Sequence, residues 1–439
     1  MAPRLTVATR PGLPGRGARV KHDPDRGAPG GASGAHGVAR ALRPLWTQIY
    51  LPNLLIATGQ GAMLPILVYA AREVHGSSAA GAVLVALNGL GTLVFDLPSG
   101  RIVARLGESA SAWLAVALLL VGLAGCLASR SIVELAVSVL VQAMGWALWS
   151  LVRLTHLSRA APVLVRGRAL SLFGGIMRAG NVLGPFAFIA IASRHDVRPA
   201  FAIYLVSVVV GFAWVVLARD RNDPAVHQRS EPVRPWHVIK KHRNGLAVAG
   251  TAVLAVSLLR GSRTAIVPLW AAHLGLNSQQ AAMLFAFSSV IDLALFYPAG
   301  VISDRFGRRA VLLPCLILLS VGHLLIPLTS SFDTLFAASF VLALGNGMGA
   351  GIVMTLGADL TPSEGRPSFL AVWRGISDAG TTAGPLVDSA VVGLGPIALA
   401  GPVIAVLGLA ATALAATRLR EPEHLARQAQ DPDPAASSS

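Results

Sequence analysis

Lysine is almost missing from this 439-residue sequence: Lys21, Lys240 and Lys241 are the only three, followed by His22, Lys241 and His242. A phosphate-binding GxxxxGK loop must continue with Ser or Thr, so ATP-driven work by this chain alone is excluded. Charge is scarce too, at 13% of residues against about 25% in soluble domains. The two cysteines, Cys126 and Cys315, fall within separate apolar runs, which excludes a disulfide framework and a thiolate metal site. No GxSxG, HExxH or CxxC pattern occurs, so the sequence gives no support to an enzyme and implies no cofactor or metal.

What is abundant is apolar sequence: 54% of residues are hydrophobic and mean hydropathy is +0.63. A helix needs about 20 mostly apolar residues to cross the hydrocarbon core. Twelve such runs are expected, at 49–71, 79–100, 110–128, 133–155, 169–192, 199–218, 246–271, 279–301, 310–328, 333–356, 368–393 and 396–417. The expectation is an all-α, multi-pass membrane protein embedded in a lipid bilayer.

The net charge of +15 could suggest nucleic acid, but its distribution points elsewhere. Alternating the segments between two sides puts 27 Lys and Arg with the N-terminus, 4 opposite and 5 within spans. By the positive-inside rule both termini are cytoplasmic, the membrane is the cytoplasmic (inner) one, and no nucleic-acid partner is implied. Residues 1–44, rich in Gly, Pro and Arg, and 421–439 read as disordered cytoplasmic tails. The basic stretch 219–245 reads as a cytoplasmic linker between a 45–218 bundle and a 246–420 bundle.

That division comes from an internal repeat. Gly100 and Gly300, Gly145 and Gly345, Pro162 and Pro362, Arg166 and Arg366, Gly180 and Gly380, and Gly184-Pro185 and Gly384-Pro385 are all separated by 200 positions. Two six-helix repeats predict two pseudo-symmetric bundles with a solute site near the midplane between them. Gly180, Gly184 and Pro185, with Gly380, Gly384 and Pro385, put small residues on one helix face before a Pro, which favours close packing and a kink.

The loop after the eighth span reads Gly300-Val-Ile-Ser-Asp304-Arg305-Phe-Gly307-Arg308-Arg309. It is a full match to the GxxxDRxGRR loop of the major facilitator superfamily (MFS), which the chain resembles over roughly residues 45–420. Its counterpart keeps Gly100, Arg105 and Gly107 but has Ala104 for the Asp and Glu108-Ser109 for the last two arginines. The resemblance implies a fold of twelve transmembrane helices in two six-helix bundles, working by alternating access. The loop is expected to take part in gating, with insertion and packing alone as the alternative.

Ionisable residues inside spans cost about 2.5–3.5 kcal/mol each and normally face a cavity or a partner. By helix rise, Asp96 and Arg374 both lie about 10 Å from their helix centres, and Arg178 and Asp292 about 3–4 Å. In the resembled family the second span faces the eleventh and the fifth the eighth. Two gating ion pairs across the seam are therefore expected, Asp96 with Arg374 and Arg178 with Asp292; permanent neutralisation inside each bundle is the alternative. Arg260 and Arg263 share a face of the seventh span, with Asp378 able to balance one of them. Either they attract an anionic solute group, or they bond backbone carbonyls. Gln60, Asn88, Asn346 and Trp146 are further candidates for solute contact, with helix packing as the alternative. Arg153 and His156 are expected to reach for the interface, and His323 to be structural.

The expected function is secondary transport of a small-molecule substrate, most plainly efflux of amphipathic drug-like or metabolic compounds as an antiporter, by a monomer. Protons are a candidate coupling ion, through Asp378 or Asp292. Uptake of a small organic anion and a non-transporting receptor or assembly factor are the rivals.

Overall fold

The computed structural model describes residues 45–161, 166–192, 196–217, 243–349, 351–361 and 366–419. The expected tails, 1–44 and 421–439, and all but the last residues of the 219–245 linker lie outside the described residues. So do Pro162 and Pro362 and the side chains of Arg166 and Arg366.

Every regular element among the described residues is helical. Helix α1 is Trp46–Glu73. It opens with a π-turn and tightens to a 3₁₀ turn at Leu64–Ile66, where Pro65 lacks a backbone donor. The Ser78–Ala128 stretch breaks at Gly107, whose φ of 76° suits glycine, into α2 (78–106) and α3 (108–128). Then come α4 (Ile132–Ala160), α5 (Arg166–Ile191), α6 (Arg198–Leu217), α7 (Arg243–His273) and α8 (Ser278–Phe306). The last four are α9 (Arg309–Leu328), α10 (Phe332–Leu360), α11 (Arg366–Leu394) and α12 (Ile397–Arg418). Eleven of the twelve are long and apolar enough to cross a membrane. The other, α11, is equally long at 29 residues but carries Arg374, Asp378 and Asp388.

We call the side where α1 begins the near face and the other the far face. The 200-residue repeat is visible in the local structure. Gly307, with φ 91°, makes the near-face turn between α8 and α9 as Gly107 does between α2 and α3. Ser77 and Asn277 cap α2 and α8, and Ser131 and Ser331 cap α4 and α10, each accepting from a first-turn amide.

Within the first half α1 packs on α5 and α6; within the second α7 packs on α11 and α12. A Cβ on Gly184 would run into Thr58 O and Ala62 N of α1, and one on Gly384 into Leu258 O and Ser262 N of α7. Gly180 meets Ala57 and Thr58, and Gly380 meets Leu254 and Ser257. Pro185 and Pro385 stay inside unbroken helices. Each leaves the carbonyl four residues back without its helical donor, and those carbonyls, of Asn181 and Thr381, lie against Gly61 and Gly261. Gly100 and Gly300 have open space around them. In the motif the turn at Gly107 and Gly307 is what demands glycine.

The loop of the second half is a clamp. Arg308 Nε donates to Asp359 Oδ2 of α10 at 2.7 Å, and Nη1 to Asp304 Oδ1 at 2.7 Å and Ser303 Oγ at 2.9 Å. Burial opposes its charge, but the hydrogen bonds and fields of Asp359 and Asp304 outweigh burial and hold its pKa above the ordinary arginine value. Arg309 Nη2 donates to Ala416 O of α12 at 2.6 Å, and Arg305 lies 5.4 Å from the Phe306 ring centre. The first-half loop, which looks depleted in sequence, is a clamp of inverted polarity. Glu108 binds Arg159 of α4 and lies 3.1 Å from His156 Nδ1. Glu108–Arg159 and Arg308–Asp359 occupy positions 200 apart, with acid and base exchanged.

Two predictions follow from this packing. Gly184→Ala and Gly384→Ala should each cost about 1–3 kcal/mol through backbone collision, lowering the melting temperature of purified protein. Gly300→Ala should leave melting unchanged, and equal effects at all three positions would refute the packing argument. In a double-mutant cycle, Glu108→Gln and Arg159→Gln should be coupled by about 0.5–3 kcal/mol, whereas strict additivity would mean that the clamp is absent.

Candidate functional site

The two bundles meet along two seams, α2 against α11 and α5 against α8, with α1 and α7 also touching. At the far face the seam is closed by side chains donating to carbonyls of the opposite bundle. Tyr69 Oη bonds Leu276 O at 3.1 Å, and Arg72 Nη1 bonds Ala272 O at 2.8 Å. Gln279 Nε2 bonds Ala192 O at 2.5 Å, and Ser389 Oγ bonds Ala79 O at 3.1 Å. Ala70, Ala71, Trp270, Ala271 and Ala272 are buried around them.

Toward the near face, the described contact across the seam is an ion pair. Asp96 of α2 and Arg374 of α11 come within 3.5 Å, bringing together the first expected pair. Arg374 also lies 3.4 Å from Asp378, one turn along its own helix, so Asp378 sits beside Arg374 rather than balancing Arg260 or Arg263. The Arg374 side chain is 47% exposed, and water screens these contacts.

Between these levels a polar cluster spans four helices. Arg263 of α7 donates to Asp292 Oδ2 of α8 at 3.2 Å, and Asn346 Nδ2 of α10 donates to the same oxygen at 2.7 Å. Arg260 Nη2 donates to Asn346 O at 3.0 Å. The Arg178 guanidinium of α5 lies 4.8 Å from the Phe296 ring centre of α8, one turn beyond Asp292. The partner of Asp292 is thus Arg263 rather than Arg178. Helix depth allowed either; α7 and α8 belong to one bundle and bring Arg263 closer. Asp292 Oδ1 and Arg260 Nε are buried without hydrogen-bond partners among the described residues.

The remaining candidates lie mostly in the first half. Asn88 Oδ1 accepts from Gln142 Nε2 at 2.6 Å, a helix-to-helix bond between α2 and α4. Gln60 is buried in α1 and Trp146 half-buried in α4. Trp149 is fully buried and donates to Asn53 Oδ1 at 3.1 Å. Arg153 does not reach the interface: it is buried, with its guanidinium 4.6 Å from the Trp149 ring centre. Arg105 is exposed at the near face, and Asp304 is exposed except for its bond to Arg308. Sequence reasoning passes over Asp388, whose only signal is an Asp inside an apolar stretch of α11.

The repeat shows how one-sided the cluster is. Arg260, Arg263, Asp292 and Asn346 stand 200 positions after Gln60, Met63, Thr92 and Trp146, all uncharged. The second bundle therefore brings most of the charge to the middle of the molecule, and the first adds Arg178 to an otherwise polar or apolar surface. Three arginines with one aspartate can hold an anionic group. No group of three or more His, Cys, Asp or Glu suited to a metal occurs among the described residues.

Comparison with known proteins places this architecture. Residues 49–261 and 250–437 match the model of the Major Facilitator Superfamily. The chain is similar to the bacillibactin exporter of Bacillus subtilis (strain 168), 29% identical over 100 residues, covering 22% of this chain and 25% of that protein. It is also similar to the arabinose-proton symporter of the same organism, 29% identical over 93 residues, covering 21% and 20%. The chain thus spans about a quarter or less of the length of these relatives. Among solved structures, a POT family transporter in complex with a thioalcohol conjugated peptide aligns with TM-score 0.69 at 12% identity, covering 87% of this chain and 97% of that one. The xylose transporter XylE from E. coli, in a partially occluded inward open conformation, aligns with TM-score 0.66 at 13% identity, covering 88% and 99%. With two six-helix repeats, a full loop motif and a family match over nearly all of its helices, the chain belongs to the Major Facilitator Superfamily and is a multi-pass membrane protein.

Proposed function

We propose that this chain exports a small amphipathic organic solute bearing an anionic group across the cytoplasmic membrane, by alternating access. The observation that carries the reading is the one-sided seam cluster. Its second-bundle wall presents Arg260, Arg263 and Asn346 around Asp292, while the matching first-bundle positions are uncharged. An anionic head suits the arginines, Arg260 having an unbonded Nε, and an apolar body suits the other wall. The excess of Lys and Arg on the near face supports a cytoplasmic near face and cytoplasmic termini. In that orientation the structure is closed outside, with its near-face contact ready to admit solute from the cytoplasm. The partly solvated pair Asp96–Arg374 serves as the near-face latch, and the loop clamps keep each bundle rigid as it moves. The bacillibactin exporter among the similar proteins agrees with export; the arabinose-proton symporter agrees with a proton gradient as the energy source.

The same cluster also favours a second reading, uptake of a small organic anion, because Arg260 and Arg263 serve either direction. A ligand-stabilisation screen on purified protein, followed by flux in liposomes with and without a proton gradient, separates the readings. Stabilising compounds should be amphipathic anions, and Arg260→Gln should abolish their effect while neutral compounds stay inert. Inward accumulation of the hits would favour uptake. Hits that bind but never move would make the protein a receptor.

A further inference from the structure

Apart from the seam cluster, three side chains without solvent contact meet inside the second bundle: Asp388 of α11, Ser262 of α7 and His323 of α9. Ser262 Oγ lies 3.0 Å from Asp388 Oδ1 and 3.2 Å from His323 Nε2, and His323 Nδ1 lies 2.7 Å from Leu319 O. Asp388 Oδ2 has no hydrogen-bond partner among the described residues.

Counting hydrogens shows what the trio needs. A carbonyl only accepts, so Nδ1 carries a hydrogen, and Nε2 of a neutral ring is an acceptor. If Asp388 is ionised as well, the single hydroxyl hydrogen of Ser262 faces two acceptors and a bare carboxylate is sealed away from water. One added proton completes the chain: Asp388 donates to Ser262, Ser262 to Nε2, and Nδ1 to Leu319 O. No net charge is then buried, and Oδ2 becomes a neutral carbonyl oxygen.

Packing does not require these residues. The positions 200 earlier are Ala62, Leu123 and Phe188, apolar and fully buried in the same place of the first bundle. The location of the trio suggests its use. Ser389, next to Asp388, makes the far-face bond to Ala79 O, so the carboxyl lies one residue from the surface that opens when α2 parts from α11. Ser262 precedes Arg263, which holds Asp292. The neighbouring elements add few charges. On α7 these are Arg263 and Arg260, with Asp292 of α8 on the former, and His273 at the far end; the far half of α10 has Asp333, and α9 has Cys315 and, at its near end, Arg309. Neither α12 between Ala400 and Thr417 nor α2 over 78–95 has an acid or a base.

We propose that Asp388, Ser262 and His323 form a proton-binding site, filled from far-face water when α2 and α11 part and holding its proton while the far face is closed. Its role in coupling rests on the transport reading above, but proton binding is measurable without any solute. In infrared difference spectra of purified protein in nanodiscs, a protonated-carboxyl band at neutral pH should vanish in Asp388→Asn. Its titration midpoint should move in Ser262→Ala and His323→Gln. If Asp388→Asn does not fold, Asp388→Glu must move that midpoint instead. Spin labels at Arg130→Cys and Ser330→Cys, without Cys126 and Cys315, should approach as pH falls in the parent protein and stay close at every pH in Asp388→Asn. A band that is missing, that survives Asp388→Asn, or that ignores Ser262 and His323 overturns the site. A pH-dependent distance surviving in Asp388→Asn overturns its coupling role, and failure to find a transported solute alters neither result.

Discussion

The backbone contact between α7 and α11 is the constraint on which the rest of the site depends. Gly261, Gly380 and Gly384 let the two helices approach until main-chain atoms touch, with Thr381 O and Leu258 O in the contact. In lipid there is little hydrophobic drive between helices, so such close van der Waals packing carries the association. It also fixes the rotation of α7. Arg260 and Arg263 are thereby turned toward α8 and α10, and Ser262 toward α11 and α9. The equivalent contact of α1 with α5, through Gly61, Gly180 and Gly184, carries no charge on its α1 face, where Gln60 and Met63 stand. One scaffold thus appears twice, with chemistry added to one copy.

The near-face clamps show what a repeat conserves physically and what it leaves free. Glu108 with Arg159 and Arg308 with Asp359 join the same pairs of helix ends, and opposite charge is all the join requires. Either polarity satisfies Coulomb attraction and hydrogen bonding equally well, so the repeat fixes the pair and not its sign. A motif read residue by residue registers the first loop as depleted; read as a pair with α4, it is complete.

This difference explains what was legible in the sequence. The helices and the glycine contacts at Gly184 and Gly384 follow from one-dimensional spacing; the approach of Asp96 to Arg374 follows from depth together with the family resemblance, which sets the second span against the eleventh. The partner of Asp292 did not, because choosing Arg263 over Arg178 depends on rotation about helix axes and side-chain reach. Arg153 was misplaced for a related reason: an aromatic face at Trp149 competes with the interface for its guanidinium, and only packing reveals that face. Asp388 carries no sequence signal of its role because the other members of its trio, Ser262 and His323, lie on two other helices.

The two faces of the seam differ in how they hold, and that difference sets which motion is easy. A partly exposed ion pair such as Asp96–Arg374 is worth about 0–1 kcal/mol. Among the described residues the far face has four side-chain-to-carbonyl bonds, each contributing about 0.5–1.5 kcal/mol net. In a transporter the two closed forms must interconvert, so a ligand has to offset a far-face advantage of a few kcal/mol through differential binding. A solute that only occupied the cavity equally well in both forms could not do this. One that drew Arg263 off Asp292 could, because the freed carboxylate would sit unpaired in a low dielectric until α7 and α8 rearranged around it. The excess of arginine over aspartate in the cluster lets an anion exchange partners in this way, and a neutral solute has nothing to offer Arg263 in return.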